Sequence, residues 1–389
     1  MIITRLCIDN LFSFKEAVID LSIKRKLAHS PIPGEHLIGF PNFRFKRVCI
    51  ISGSNASGKT ALGKVLSAVQ RLWLLKEWDM HLLRPYIHAK NNNARIEVEF
   101  VIPQGNKTRL HRLEVVLSQQ ALKGIKYSDI PLRPTDTVAS ARSRLDKGVG
   151  SHIRHTQFLE GNSLAALDQM NTYLVQPQYS LYYLLSNTDI DRPKVHKEPI
   201  DGQLKLLTSI ITSFDSSIDG ISELKKNDEL LGYQVRFNNG DSVLVDMEGD
   251  VTDKERLSKG TYEGIQVAFI ILRIMSDKQH CIHLEDYACT YYMDEKMAYV
   301  HTELEQAILN LIIEYLPDQS QFFYTTHNYD VLGMNLPVHS YLLMNKENGY
   351  TKIIQPEETL QKNDRKLLNY IKNDVFCSTP NTDKIWGLM

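Results

Sequence analysis

Hydrophobic and polar positions along this chain follow two periods, and they change register at definite places. Ile2 to Leu21 mixes apolar and polar residues in the manner of a strand pair, and Val48 to Ser52 (VCIIS) is a short apolar run ending at a glycine, as a buried parallel strand does. From Thr60 to about Leu75, the residues Leu62, Val65, Leu66, Val69 and Leu72 recur at helical spacing. The order is strand, glycine-containing loop, helix. Between Ala94 and Leu117 the segments RIEVEFVI and LHRLEVVL alternate with period two, which predicts an antiparallel hairpin around Gln104 to Asn106 and the start of a β-rich lobe.

Residues 121–155 show no clear period and predict a mobile or ligand-binding insertion. Helices are predicted over 163–187 and 201–214, and a hairpin over 233–246 with Asn239-Gly240 at its turn. An apolar helix over 261–275, a strand at 290–293, a helix at 300–315 and a strand at 321–325 return the pattern to α/β. The expected division is an N-terminal part of one head (1–120), an insertion of basic loop and helices (121–230), and a C-terminal part of the same head (231–389).

Composition narrows the class. With 389 residues, 43% hydrophobic and 23% charged, the chain reads as an ordinary globular protein with a large core. Its net charge of −1 provides no overall field for nucleic acid or anionic lipid, so such binding needs a local patch. The 121–155 stretch is the candidate patch for nucleic acid: Lys123, Lys126, Arg133, Arg142, Arg144, Lys147 and Arg154 stand against Asp129, Asp136 and Asp146. Five cysteines (Cys7, Cys49, Cys281, Cys289, Cys377) form no CxxC pair, which points to a reducing cytoplasm. Gln266 and Arg273 break the longest apolar stretch, so no membrane segment is expected.

The chemistry begins at Gly53-Ser54-Asn55-Ala56-Ser57-Gly58-Lys59-Thr60-Ala61, which matches the phosphate-loop pattern GxxxxGK[ST] in the strand-to-helix context that pattern requires. Gly53 and Gly58 let successive N–H groups turn toward phosphate oxygens, and the positive end of the following helix adds attraction. Lys59 is placed to reach β- and γ-phosphates, and the Thr60 hydroxyl to bind magnesium. The bland alternative is a glycine-rich turn.

Tyr291-Tyr292-Met293-Asp294-Glu295 is an apolar run closing on two acids. Beside a phosphate loop, Asp294 would hold the magnesium and Glu295 would polarise an attacking water as general base. Read alone, the pair is a solvated helix start. Thr325-Thr326-His327-Asn328 after the QFFY strand puts a histidine where it could bond the γ-phosphate, although a lone histidine is usually structural. Leu257-Ser258-Lys259-Gly260-Thr261 precedes the long apolar helix and forms either a second anion site or a plain Ser258 cap.

In this order, the motifs resemble the ATP-binding-cassette class of ATPase heads, nearest its RecF, SMC and OLD-like branch. The opening Ile8-Asp9-Asn10-Leu11-Phe12-Ser13-Phe14, GSNASGKT, the SxGT signature, Asp-Glu followed by Val300-His301, and FFYTTHN with a downstream Tyr341 strand look like AAA-ATPases of anti-phage defence operons (OLD-like, Septu-like and PARIS-type). That resemblance covers nearly the whole chain. It implies an α/β P-loop NTPase with an ABC-ATPase-like head, an antiparallel β lobe and a helical insertion. It also implies ATP and Mg2+ as ligands, Lys59 and Thr60 on phosphate and metal, Asp294 as second metal residue, Glu295 as base, and His327 as switch histidine. Ser258 and Gly260 would be the signature acting in trans across a head-to-tail homodimer, or a higher oligomer, with ATP at the interface. Two departures stand out: Lys259 and Thr261 occupy positions where transporters carry glycine and glutamine, and Gln157, Gln176 and Gln178 all remain candidates for the expected glutamine loop.

Lys59 and Lys259 are 200 residues apart with no heptad run, and 62 residues follow His327, too few for an appended nuclease domain. The expectation is an ATP-hydrolysing sensor or scaffold with a separate effector such as a nuclease. The alternatives are a RecF-like DNA-repair clamp, and a chain in which ATP is only a structural clamp.

Overall fold

The structure is a computed structural model describing all residues except 25–29, 76–79, 149–151, 157–177, 186–201, 228, 282–286, 361–366, 374 and 377–389. Its centre is a six-stranded sheet in the order Gln178–Leu184, Tyr287–Asp294, Ser320–Thr326, Val48–Gly53, Tyr341–Glu347, Tyr350–Ile354. The first five strands run parallel and the last is antiparallel. Both faces of the sheet are covered, so successive residues enter different cores. Val48, Ile50, Tyr291, Met293, Phe322 and Tyr324 face one side, while Cys49, Ile51, Tyr292 and Phe323 face the other.

Helices Gln203–Phe214, Lys259–Cys281 and Thr302–Tyr315 pack on the first face. Helix Lys59–Leu74 covers the second, burying the predicted stripe Leu62, Val65, Leu66, Val69 and Leu72. An antiparallel sheet closes over the same helix, in the order Ala17–Asp20, Ile2–Asp9, Ala94–Ile102, Arg109–Leu117, Leu122–Pro131, His152–Thr156. Each large aliphatic side chain so enclosed contributes roughly 1.5–3 kcal/mol over leaving it in water. This burial holds the helix that follows the phosphate loop between two sheets. A three-stranded sheet, Ile218–Lys226, Glu229–Phe237 and Ser242–Asp246, contains the predicted second hairpin, with Gly240 at φ +87° in its turn.

Two sequence expectations are corrected. Residues 178–184, read as the end of a helix, are a strand paired in parallel with Tyr287–Asp294. The run looked non-alternating because both faces are buried: Leu181 and Tyr183 join one core, Tyr182 and Leu184 the other. The earlier part of that predicted helix, 163–177, lies outside the described residues. Within 121–155, Leu122–Pro131 is a ten-residue strand paired along Arg109–Leu117 across residue 120, and Val138–Asp146 is a helix capped by Thr137. Lys123, Lys126 and Gly124 had hidden the period.

Two arginines of that stretch, Arg142 and Arg144, are engaged within the fold. Arg142 bonds Glu99 (2.5 Å) and Asp20 (3.4 Å), Arg144 bonds Asp136, and Asp146 accepts from Arg112 (2.7 Å). Among the described residues, no helix is long and apolar enough to cross a membrane.

Candidate functional site

The phosphate loop is fixed by close packing at its first glycine. A Cβ on Gly53 would fall 2.0 Å from the carbonyl oxygen of Met344 on the neighbouring strand, so no other residue fits. Gly58 turns the chain into the helix at φ +107°, a left-handed value that favours glycine. Thr351 ties the loop from outside: its hydroxyl donates to the Ser57 carbonyl (2.7 Å), and its N–H to the Ser13 carbonyl (2.7 Å). Tyr292 donates its hydroxyl to the Lys59 carbonyl at 2.8 Å, pinning the first helical turn to the strand that carries Asp294.

Lys59 is buried. Its ammonium donates to the carbonyls of Gly53 (3.0 Å) and Ser54 (3.2 Å), and lies 3.3 Å from Glu295 Oε1 and 3.2 Å from His327 Nε2. Burial pulls the pKa of this ammonium below its ordinary value, and the adjacent Glu295 carboxylate offsets only part of the shift. His327 Nε2 also stands 2.8 Å from Glu295 Oε1. Residues up to 268 positions apart in the sequence thus form one triangle of cation, carboxylate and imidazole.

Asp294 ends its strand fully buried, one strand removed from the phosphate loop. Thr60 donates its hydroxyl to Asp294 Oδ2 (2.7 Å), and Thr325 donates to Oδ1 (2.6 Å). The next residue, Glu295, takes φ +53°, and its N–H reaches both the carbonyl (3.2 Å) and hydroxyl (3.1 Å) of Thr325. These bonds offset the left-handed conformation and turn the carboxylate toward Lys59.

The Thr60 hydroxyl and Asp294 carboxylate in contact are hard oxygen donors, the set that suits Mg2+ retaining waters and phosphate oxygens. The Ser57 hydroxyl in the same loop is buried and has no hydrogen-bond partner among the described residues, an orphan that a phosphate oxygen would satisfy. The residues present therefore fit a magnesium–phosphate group. A cavity of about 480 Å³ opens over the loop, lined by Phe12, Ser13, Lys64, His88, Glu295 and Lys346 as well as residues 56–61.

Glu305 is a site-supporting residue that the sequence did not single out. It is buried on the sheet-facing side of helix Thr302–Tyr315, and accepts from Tyr324 Oη (2.6 Å), Thr326 Oγ1 (2.9 Å) and Asn328 Nδ2 (2.8 Å), bracketing His327. Its spacing from Ile308, Leu309 and Ile312 on the buried face was the available signal. Thr325 and Tyr292 lie within the motifs the sequence offered, but their own hydrogen bonds to Asp294 and to the Lys59 carbonyl were not legible there.

Ser258 and Gly260 do not line the phosphate-loop cavity. Ser258 caps the helix that starts at Lys259: its oxygen accepts from the Thr261 N–H (3.0 Å). Lys259 donates to the hydroxyl of Tyr299 (2.8 Å) and lies 4.3 Å from its ring centroid. Gln157 and Gln176 lie outside the described residues, and Gln178 opens the edge strand of the central sheet.

Together, this sheet order, loop and helix arrangement make the P-loop ABC-ATPase fold, in the form found in SMC heads. A solved SMC head bound to the C-terminal winged-helix domain of ScpA matches over 93% of this chain and 100% of its own, at 14% identity and TM-score 0.51. SMC heads from Thermotoga maritima (13% identity, 91% and 99% covered, TM-score 0.41) and Pyrococcus yayanosii (9%, 94% and 100%, 0.46) superpose less closely. No protein-family model and no curated protein matches the sequence.

Proposed function

We propose that this chain binds ATP with Mg2+ and hydrolyses it to ADP and phosphate, as the ATPase subunit of an anti-phage defence complex whose separate effector, such as a nuclease, it holds or activates. The convergence of Lys59, Glu295 and His327 beside the Thr60–Asp294 pair carries the ATPase part. The order of motifs that resembles defence ATPases carries the rest.

On nucleotide binding, Lys59 exchanges the carbonyls of Gly53 and Ser54 for β- and γ-phosphate oxygens, and N–H groups at the start of its helix would add further donors. Thr60 and Asp294 would hold Mg2+, which when bound draws charge from the β- and γ-phosphates. Glu295, released from Lys59, accepts a proton from the attacking water, and His327 donates to the γ-phosphate. The partner copy would supply Ser258 and Gly260 from the start of its own Lys259 helix, so ATP closes a dimer and hydrolysis opens it.

Phosphate release by the purified chain, with and without Mg2+ and in wild type against Lys59→Ala, tests the enzymatic part. Turnover that needs both Mg2+ and Lys59 supports it; turnover that survives Lys59→Ala defeats it. Measuring assembly mass with the neighbouring gene's product tests the effector part. The RecF-like reading has less support, because Arg142 and Arg144 of the candidate nucleic-acid stretch are already bonded to carboxylates.

A further inference from the structure

The start of the signature helix contains a chain of hydroxyls with a defined direction. Thr261 Oγ1 is bonded to Asp215 Oδ2 at 2.6 Å, and Ser258 Oγ lies 2.7 Å from Thr261 Oγ1. Burial pushes the Asp215 carboxyl up, but its hydrogen bonds from Ser217 and Thr261 win and hold it below the usual carboxylate range. A carboxylate only accepts, so the single proton of Thr261 is committed to Asp215. In the 2.7 Å contact Ser258 must therefore be the donor. Its oxygen also accepts from the Thr261 N–H. Ser258 has spent its proton inward and cannot donate to a phosphate.

Asp215 is placed firmly. It follows helix Gln203–Phe214, and its N–H returns to the Ile211 carbonyl. The preceding Phe214 presses on the same signature helix at Gly264, where an added Cβ would lie 2.5 Å from the Phe214 ring. A glycine notch and a hydrogen bond thus dock the end of one helix on the first turns of the other.

We propose that Asp215 is a positioning residue that sets the hydrogen-bond polarity of the signature, keeping the Ser258 hydroxyl turned away from a partner copy's γ-phosphate until Asp215 is withdrawn. The idea rests on the trans role of Ser258 given above. Displacing helix Gln203–Phe214, or the three-stranded sheet that follows it, would then be the means by which a bound partner controls dimer closure. Without Asp215, Thr261 can donate to Ser258, and the serine proton is free for phosphate.

The test is ATP-dependent self-association of the full chain, read by light scattering or sedimentation, for wild type, Asp215→Asn, Thr261→Val and each combined with Ser258→Ala. An asparagine amide can donate to Thr261 and so reverse the chain; valine removes the hydroxyl to which Ser258 donates. Both should strengthen association about tenfold, the scale of one hydrogen bond to a charged group. ATP affinity of the monomer should stay unchanged, and the gain should vanish with Ser258→Ala. A residue that merely supports the fold would weaken association and lower Tm instead. If wild type associates with ATP but neither variant does so more tightly, or if the gain survives Ser258→Ala, the polarity assignment is overturned while the ATPase reading stands. A wild type that binds ATP without associating overturns the trans role of Ser258 and the proposal with it.

Discussion

The carboxylate of Glu295 lies 2.8 Å from the imidazole Nε2 of His327, although the two come from the ends of different strands. The same oxygen is 3.3 Å from Lys59, so the residue proposed as base is occupied until phosphate draws Lys59 away. Glu295→Gln keeps the shape but cannot take a proton. Its turnover should fall roughly 10²–10⁴-fold, the range for loss of a general base. ATP binding should persist, and the ATP-bound assembly should live longer. Single-turnover phosphate release checks this; a glutamine variant at wild-type rate removes Glu295 from the reaction.

Glu305 satisfies three donors around His327, the proposed switch histidine, and only a carboxylate can accept all of them. Glu305→Gln places an amide N–H against one donor, leaving it unpaired at a cost of about 1–3 kcal/mol. A lower Tm is expected together with a fall in kcat at nearly unchanged KM for ATP, because His327 loses its frame while the phosphate loop keeps its own. Equal loss of ATP affinity would contradict that division.

At Gly53 the fold leaves no room. Gly53→Ala drives a methyl into the Met344 carbonyl, and a backbone atom cannot move aside as a side-chain tip does. The expected result is a loss of more than about 3 kcal/mol or failure to fold, beyond the usual cost of overpacking. Chemical denaturation decides it. A variant as stable as wild type would mean that the two strands separate more easily than this packing allows.

Glu263 is buried one turn into helix Lys259–Cys281, with Oε2 lacking a partner among the described residues. Burial raises its pKa, and Lys259 and Lys296 compensate only in part. Between the unfolded and the raised folded value, the native state binds more protons than the unfolded state, so stability falls as pH rises through that window. Glu263→Gln should therefore raise Tm at pH 7 and give no gain at pH 4. Thermal melts at the two pH values test the sign.

The local chemistry was legible in the chain itself. GSNASGKT between an apolar run and a helical stripe prescribes a phosphate loop, because glycines, strand and helix dipole act over a dozen contiguous residues. Asp294, Glu295 and His327 were legible as acids and an imidazole after apolar runs, since parallel strands deliver their functional groups at one end. The alternation of Arg109–Leu117 and the stripe of Lys59–Leu74 likewise depend on neighbours three or four residues away at most.

Other features required tertiary pairing. Periodicity fails for a strand such as Gln178–Leu184, where burial on both faces erases the alternation. Only its pairing with the distant strand Tyr287–Asp294 distinguishes it from a helix.

The roles of Glu305 and Asp215 were invisible for the same reason. Each acts on residues supplied by another element: Glu305 on Tyr324, Thr326 and Asn328, and Asp215 on Thr261. The basic look of residues 121–155 was a property of the sequence, and the commitment of Arg142 to Glu99 and of Arg144 to Asp136 a property of the fold. Sequence determined which chemical groups the protein has and the local elements that carry them, because those depend on contiguous residues. Only the tertiary structure decided which groups meet, because a carboxylate finds its lysine or its hydroxyl through sheet order and packing, as Asp294 meets Thr60 across a separation of 234 residues.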